Sequence, residues 1–98
     1  MEKGGYIYII TNPSNTVLYV GVTSSIKQRI HQHKTKFRPT SFSARYNINK
    51  LVYYEQFEGI AEAMKREKQL KAGSRNTKTD LIQSFNPKWL DLFDTLEE

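Results

Sequence analysis

The sequence predicts an α/β (α+β) domain: a small three-stranded antiparallel sheet flanked by helices, in the order ββα(α)βαα. Three observations predict it. Two runs rich in β-branched and aromatic residues, Tyr6 to Thr11 and Val17 to Val22, flank a short turn that contains Pro13. A third such run, Lys50 to Phe57, follows a polar stretch. The remainder is dominated by helix formers and helix-stop signals. At 98 residues the chain has room for one domain. It is read as residues 1–98, with a core of about 4–85 and a tail, 86–98, that packs back.

Each element has a local reason. Asn12-Pro13-Ser14-Asn15 supplies turn chemistry, so the first two strands form an antiparallel hairpin. Gly21, near the second strand's end, marks a bulge or a close backbone approach. Thr23-Ser24-Ser25 offers hydroxyls to cap a helix over residues 25–34. Residues 35–42 contain Pro39 and read as a loop, and Ser43 to Ile48 reads as a short helix. Ile60 to Lys71 is the clearest helix, with Gly73 placed for a C-terminal cap. Ser74 caps a last helix of roughly residues 75–84, which Asn86-Pro87 stops. Trp89, Leu90, Leu92 and Phe93 are expected to fold onto the core.

Composition excludes several classes. With 38% hydrophobic and 26% charged residues, the chain is not biased toward disorder. It has no cysteine, which excludes disulfides and thiolate zinc sites. The longest apolar stretch, Tyr6 to Ile10, is far too short to cross a bilayer, and the start lacks a secretory-signal pattern. A soluble cytoplasmic protein is the expectation. The charge is uneven. Residues 23–50 hold Lys27, Arg29, Lys34, Lys36, Arg38, Arg45 and Lys50 with no acid, whereas residues 81–98 set Asp91, Asp94, Glu97 and Glu98 against Lys88. That pattern suits one polyanion-facing surface, or simply a solvated basic face.

Some polar residues fall where apolar ones are expected. In the helix after the hairpin, Arg29 and His33 share the side of Ile26 and Ile30. In the long helix, Ile60, Ala63, Met64 and Leu70 define an apolar face with Glu67 at its centre. A carboxylate there must be paired, protonated or bound to a metal. The bland alternatives are an Arg29 that snorkels to solvent, a His33 with one structural hydrogen bond and a buried Glu67–Arg29 ion pair. Tyr6 and Tyr8 share a strand face, and Tyr19 lies across the hairpin from that region. Taken singly, strand tyrosines pack. Together, these groups make a phosphodiester-cleaving kit. A carboxylate holds a cation, a guanidinium offsets transition-state charge, and a phenol or imidazole carries the proton.

The ordered set also resembles a known family. Tyr6-Ile7-Tyr8, with Tyr19-Val20-Gly21 eleven residues after Tyr8, resembles the paired motif of the GIY-YIG nuclease superfamily. Arg29 stands ten residues past Tyr19, and Glu67 lies within Arg66-Glu67-Lys68-Gln69-Leu70-Lys71. Both fall where that family has its helix arginine and its metal-binding glutamate. The glycine of the first triplet is absent, although Gly5 precedes it. The chain is similar throughout to small standalone bacterial members and to the N-terminal nuclease domain of the excision-repair machinery. The resemblance implies a three-stranded antiparallel sheet with flanking helices and hydrolysis of DNA phosphodiester bonds with one divalent cation, Mg2+ or Mn2+. It implies Glu67 as metal ligand, Arg29 on the scissile phosphate, and Tyr8 and Tyr19 on the attacking water. His33 is a candidate second proton carrier. Gly21 and Asn86 are supporting residues.

The expectation is therefore a weakly specific, metal-dependent DNA endonuclease of a repair or recombination kind. Lys27, Lys34, Lys36, Arg38 and Arg45 would contact phosphates without reading sequence. No membrane and no small-molecule cofactor are expected. A protein partner or homodimer would be the route to specificity, since larger relatives carry a separate binding domain. The alternative is a non-catalytic nucleic-acid-binding module that uses the basic 23–50 segment.

Overall fold

A computed structural model of the chain describes residues 4–36 and 40–96. Strands β1 (Gly5–Thr11), β2 (Leu18–Thr23) and β3 (Lys50–Phe57) form one sheet in the order β2-β1-β3. β1 is antiparallel to both neighbours. The helices are α1 (Ile26–Lys34), α2 (Phe42–Arg45), α3 (Ile60–Ala72) and α4 (Arg75–Phe85), followed by a short 3-10 turn, Phe93–Thr95. The predicted class and element order are found. No helix among the described residues is long and apolar enough to cross a membrane.

The hairpin forms for the expected reason. Asn15 N–H donates to the Asn12 carbonyl at 2.9 Å, closing a turn, and Asn15 takes φ 60°. The Asn12 side-chain oxygen accepts from the N–H groups of Thr16 and Val17, which fixes the loop's exit into β2. The register then sets Tyr8 opposite Gly21 and Ile10 opposite Tyr19. A shift between Ile9 and Ile10 breaks the pairing with β3.

The alternation of β1 divides the core in two. Ile7 and Ile9 face α3 and α4, packing with Ala63, Leu70 and Ile82. Tyr8 and Ile10 face α1 and the tail, packing with Ile26, Ile30, Ile48, Leu51 and Leu96. Gly5 lets α3 approach. A Cβ there would lie 2.8 Å from the Ile60 Cα and 2.9 Å from the Ala63 Cβ.

Several details depart from expectation. Thr23 shapes the entry to α1 by accepting the Ser25 N–H, and Ser25 makes no side-chain cap. Ser41 caps α2, so that helix starts before the predicted Ser43. Gly73 does end α3, but with φ −79°, so no left-handed cap forms. Ile60 and Met64 are exposed, at 41% and 46%. The inward line of α3 is Ala63, Glu67 and Leu70 instead, because the close approach at Gly5 favours the small side chain.

Asn86 ties the tail. Its side chain donates to the Val52 and Leu90 carbonyls and accepts from the Leu90 N–H. From there Trp89 packs with the α3–α4 core, and Leu92, Phe93 and Leu96 pack with the other. Leu90 stays in solvent, against expectation. Asp91 accepts from the Leu51 and Phe93 N–H groups and pairs with Lys34. The acidic tail thus anchors α1 to β3.

Candidate active site

β2 is an edge strand, and Gly21 sits on it opposite Tyr8. The Tyr8 ring lies over this glycine. A Cβ at position 21 would fall 2.8 Å from Tyr8 Cε2 and closer still to Cζ and the hydroxyl. The missing side chain leaves a seat for the ring and carries the hydroxyl to the β2 edge of the sheet. α3, on the opposite face, also packs against β2, so Glu67 can reach the same edge.

Tyr8, Tyr19, Arg29 and His33 meet there, and Glu67 acts on Tyr8 through its charge. The Tyr8 hydroxyl is 3.0 Å from His33 Nε2. The His33 ring is tilted against Tyr8 and edge-on to Tyr19, with centroids 5.7 Å and 5.8 Å apart. The Tyr8 phenol is held well above the usual range. Burial is the main cause, followed by the charge of Tyr19. Arg29 opposes the shift by its charge and a hydrogen bond, and Glu67 adds to it. One hydroxyl therefore senses Tyr19, Arg29, His33 and Glu67 together.

His33 is pushed down to about 4, first by burial and then by the Arg29 charge. The imidazole is neutral near pH 7 and can accept a proton. The sign of its pH effect follows. Unfolded chains take up the proton below the ordinary value of 6.5, whereas the folded chain resists until about 4. Stability from the neutral ring is complete above that ordinary value and declines as pH falls toward 4. A pH titration of the His33 ring protons by NMR is expected to give a midpoint near 4, and a midpoint near 6.5 would contradict the buried setting.

Arg29 does not lie on the inward face as predicted. It is exposed, at the rim of the Ile26–Ile30 stripe, and its long side chain turns back toward Tyr8. With Thr23, Ser24, Ser25, Gln28 and Gln32 it lines a polar cleft of about 190 Å³. Glu67 is half-buried. Its partner is Lys71 at 2.9 Å, not Arg29, and the Lys71 side chain is half exposed. The sequence carries a signal for this, the i,i+4 Glu-to-Lys spacing on a helix. Sequence reasoning also missed a charged clamp beside it. Arg66 holds Glu55 of β3 through Nε at 3.0 Å and a second nitrogen at 3.1 Å, and Tyr53 donates to the same carboxylate. This clamp ties α3 to β3 at the residue next to Glu67.

The predicted phosphate contacts divide. Lys27, Lys36 and Arg45 are exposed. Lys34 is tied to Asp91 and donates to the Asn49 carbonyl at 3.0 Å, which makes it a brace. Arg38 lies outside the described residues. Asn86 supports the site only through the tail it anchors.

Among the described residues no three His, Asp or Glu side chains gather as a metal cage. The lone carboxylate of Glu67 still fits a hard cation such as Mg2+, which binds through one or two carboxylates and fills its shell with water and substrate phosphate.

Residues 4–80 match the family described as the GIY-YIG catalytic domain. The chain is 32% identical over 83 residues to a UPF0213 protein of Syntrophus aciditrophicus, covering 85% of this chain and 93% of that one. It is 37% identical over 83 residues to a UPF0213 protein of Clostridium perfringens, covering 85% and 87%. Its fold resembles the solution NMR structure of a UPF0213 protein from Bacillus halodurans, with a TM-score of 0.56 and 24% identity over 90% of this chain and 92% of the other.

Proposed function

This chain belongs to the GIY-YIG family, and from that premise we propose that it is a metal-dependent endonuclease that hydrolyses phosphodiester bonds in DNA. The observation that carries this reading is the Tyr8 hydroxyl, 3.0 Å from His33 and acted on by Tyr19, Arg29 and Glu67. Such a cluster suits an attacking water, a phosphate and a cation. In this reading the enzyme is cytoplasmic, has weak sequence preference and serves DNA repair or recombination.

Glu67 would hold the cation, Mg2+ or Mn2+, exchanging its pairing with Lys71. When bound, the cation polarises the phosphate and lowers the pKa of bound water. Arg29 lines the polar cleft and would offset the charge that builds on the scissile phosphate in the transition state. Tyr19 flanks the attacking water.

The proton path follows from the acidities. A standing phenolate at Tyr8 is disfavoured by burial. With His33 neutral and protonated on Nδ1, the Tyr8 O–H donates to Nε2. As the water loses a proton to the Tyr8 oxygen, Tyr8 passes its own to His33. Tyr8 is a phenol before and after the step, and His33 holds the proton.

Lys27, Lys36 and Arg45 would hold the backbone without reading bases, so binding is expected to weaken steeply with salt. The test is a cleavage screen over plasmid, branched and single-stranded DNA with Mg2+, Mn2+ or chelator. Cleavage that needs the metal is expected. Salt-sensitive binding with no cut under either metal would instead make the chain a non-catalytic nucleic-acid module.

A further inference from the structure

A row of aromatic rings leads out of the site. Tyr19 stacks on Phe42 at 6.3 Å with a 29° interplanar angle, and Phe42 contacts Tyr46 at 4.8 Å. The Arg45 guanidinium lies 5.9 Å from the Tyr46 centroid. Phe42 and Tyr46 are 49% and 48% exposed, and neither belongs to the two buried clusters. Phe42 opens α2, a single turn, Tyr46 stands at its C-terminal cap, and Ala44 between them is buried. Core packing therefore does not account for two large half-exposed rings. The segment that carries them, residues 23–50, is basic and contains no acid, and the Arg45 guanidinium lies beside Tyr46.

Flat rings beside a cationic stretch suit one kind of occupant. Unpaired nucleotides offer open π faces and a phosphate charge. Duplex DNA keeps its base faces stacked inside and cannot use such rings. We propose that Phe42 and Tyr46 form a stacking platform for single-stranded DNA, delivering an unpaired strand to the site at Tyr19. The substrate class is then DNA with an unpaired stretch beside the scissile bond, either free single strands or branched structures with a single-stranded arm. The delivery step rests on the endonuclease reading. The platform itself does not, because it predicts binding.

The test is fluorescence anisotropy with labelled DNA of about 12 nucleotides, single-stranded and duplex, in chelator so that nothing is cut. Phe42→Leu/Tyr46→Leu keeps apolar bulk and removes the flat faces. Base stacking on an aromatic side chain is worth about 1–3 kcal/mol, or roughly 5- to 150-fold in affinity. The full chain is expected to prefer the single strand, and the double variant to lose at least about fivefold of that preference. Tyr46→Phe is expected to retain it. An unchanged preference in the leucine variant, or its loss in Tyr46→Phe, overturns the platform. Tighter binding of the same sequence as RNA overturns the DNA assignment. A chain that shows the preference and cuts nothing with metal keeps the platform and loses the nuclease reading.

Discussion

Glu67→Gln is expected to abolish cleavage, by about 10³-fold or more, while leaving the fold intact. The substitution keeps the shape of the side chain and removes the charge that would hold the cation. Metal assistance supplies several kcal/mol of transition-state stabilisation, and each 1.36 kcal/mol is tenfold in rate. The structural cost is small. Glu67 is paired with Lys71, whose side chain is 52% exposed, and such an i,i+4 pair contributes about 0.3–0.5 kcal/mol at most. Rate and stability should therefore separate cleanly. Single-turnover cleavage in Mn2+ beside a thermal melt measures both. A glutamine variant that cuts at the parental rate would remove Glu67 from the chemistry.

Gly21→Ala should damage activity without touching a polar group. Its Cβ would lie 2.8 Å from Tyr8 Cε2 and overlap Cζ and the hydroxyl. Tyr8 is 1% exposed and packed between Ile26, Ile30 and Leu51, so the ring has no free direction in which to retreat. Overpacking of this kind costs about 1–3 kcal/mol of stability. A reacting group displaced by ~1 Å costs about 10²-fold in rate. The expected result is a protein with a lower denaturation midpoint and at least that loss in cleavage. Parental cleavage from a folded alanine variant would show that the ring's seat over Gly21 is not needed.

The strands and long helices were legible because their signals are local. β3 has the predicted bounds, since its β-branched and aromatic run ends where Glu58-Gly59 begins. α3 and α4 differ from expectation by one residue at their C-terminal ends. The rotation of α3 was harder to read. Ile60 and Met64 are its larger apolar residues, yet the sheet takes Ala63 because Gly5 brings the backbones together. That choice depends on a contact between distant segments, which hydropathy along one helix does not encode. The Glu67–Lys71 pair was written in the sequence as i,i+4 charge spacing, whereas the Arg66–Glu55 clamp joins α3 to β3 and depends on the fold. Arg29 shows the opposite case. Helical periodicity placed it near Ile30 and gave the correct neighbourhood with the wrong burial, because a long side chain at the rim can leave the core and still reach Tyr8. The grouping of Tyr8, Tyr19, Arg29, His33 and Glu67 was an expectation from the faces they share on their elements and from the family resemblance. Tyr8's seat over Gly21 required the register.

Paramagnetic broadening by Mn2+, followed by NMR in side-chain-labelled protein, asks most directly whether these residues share one cation site. Titration at low concentration should broaden the Glu67 carboxyl first, together with the rings of His33, Tyr8 and Tyr19, and Glu67→Gln should erase the effect. Broadening centred instead on Asp91 and Asp94, with the Glu67 and His33 signals left sharp, would mean that the cation prefers the acidic tail and that the β2 edge is not a metal-assisted catalytic centre.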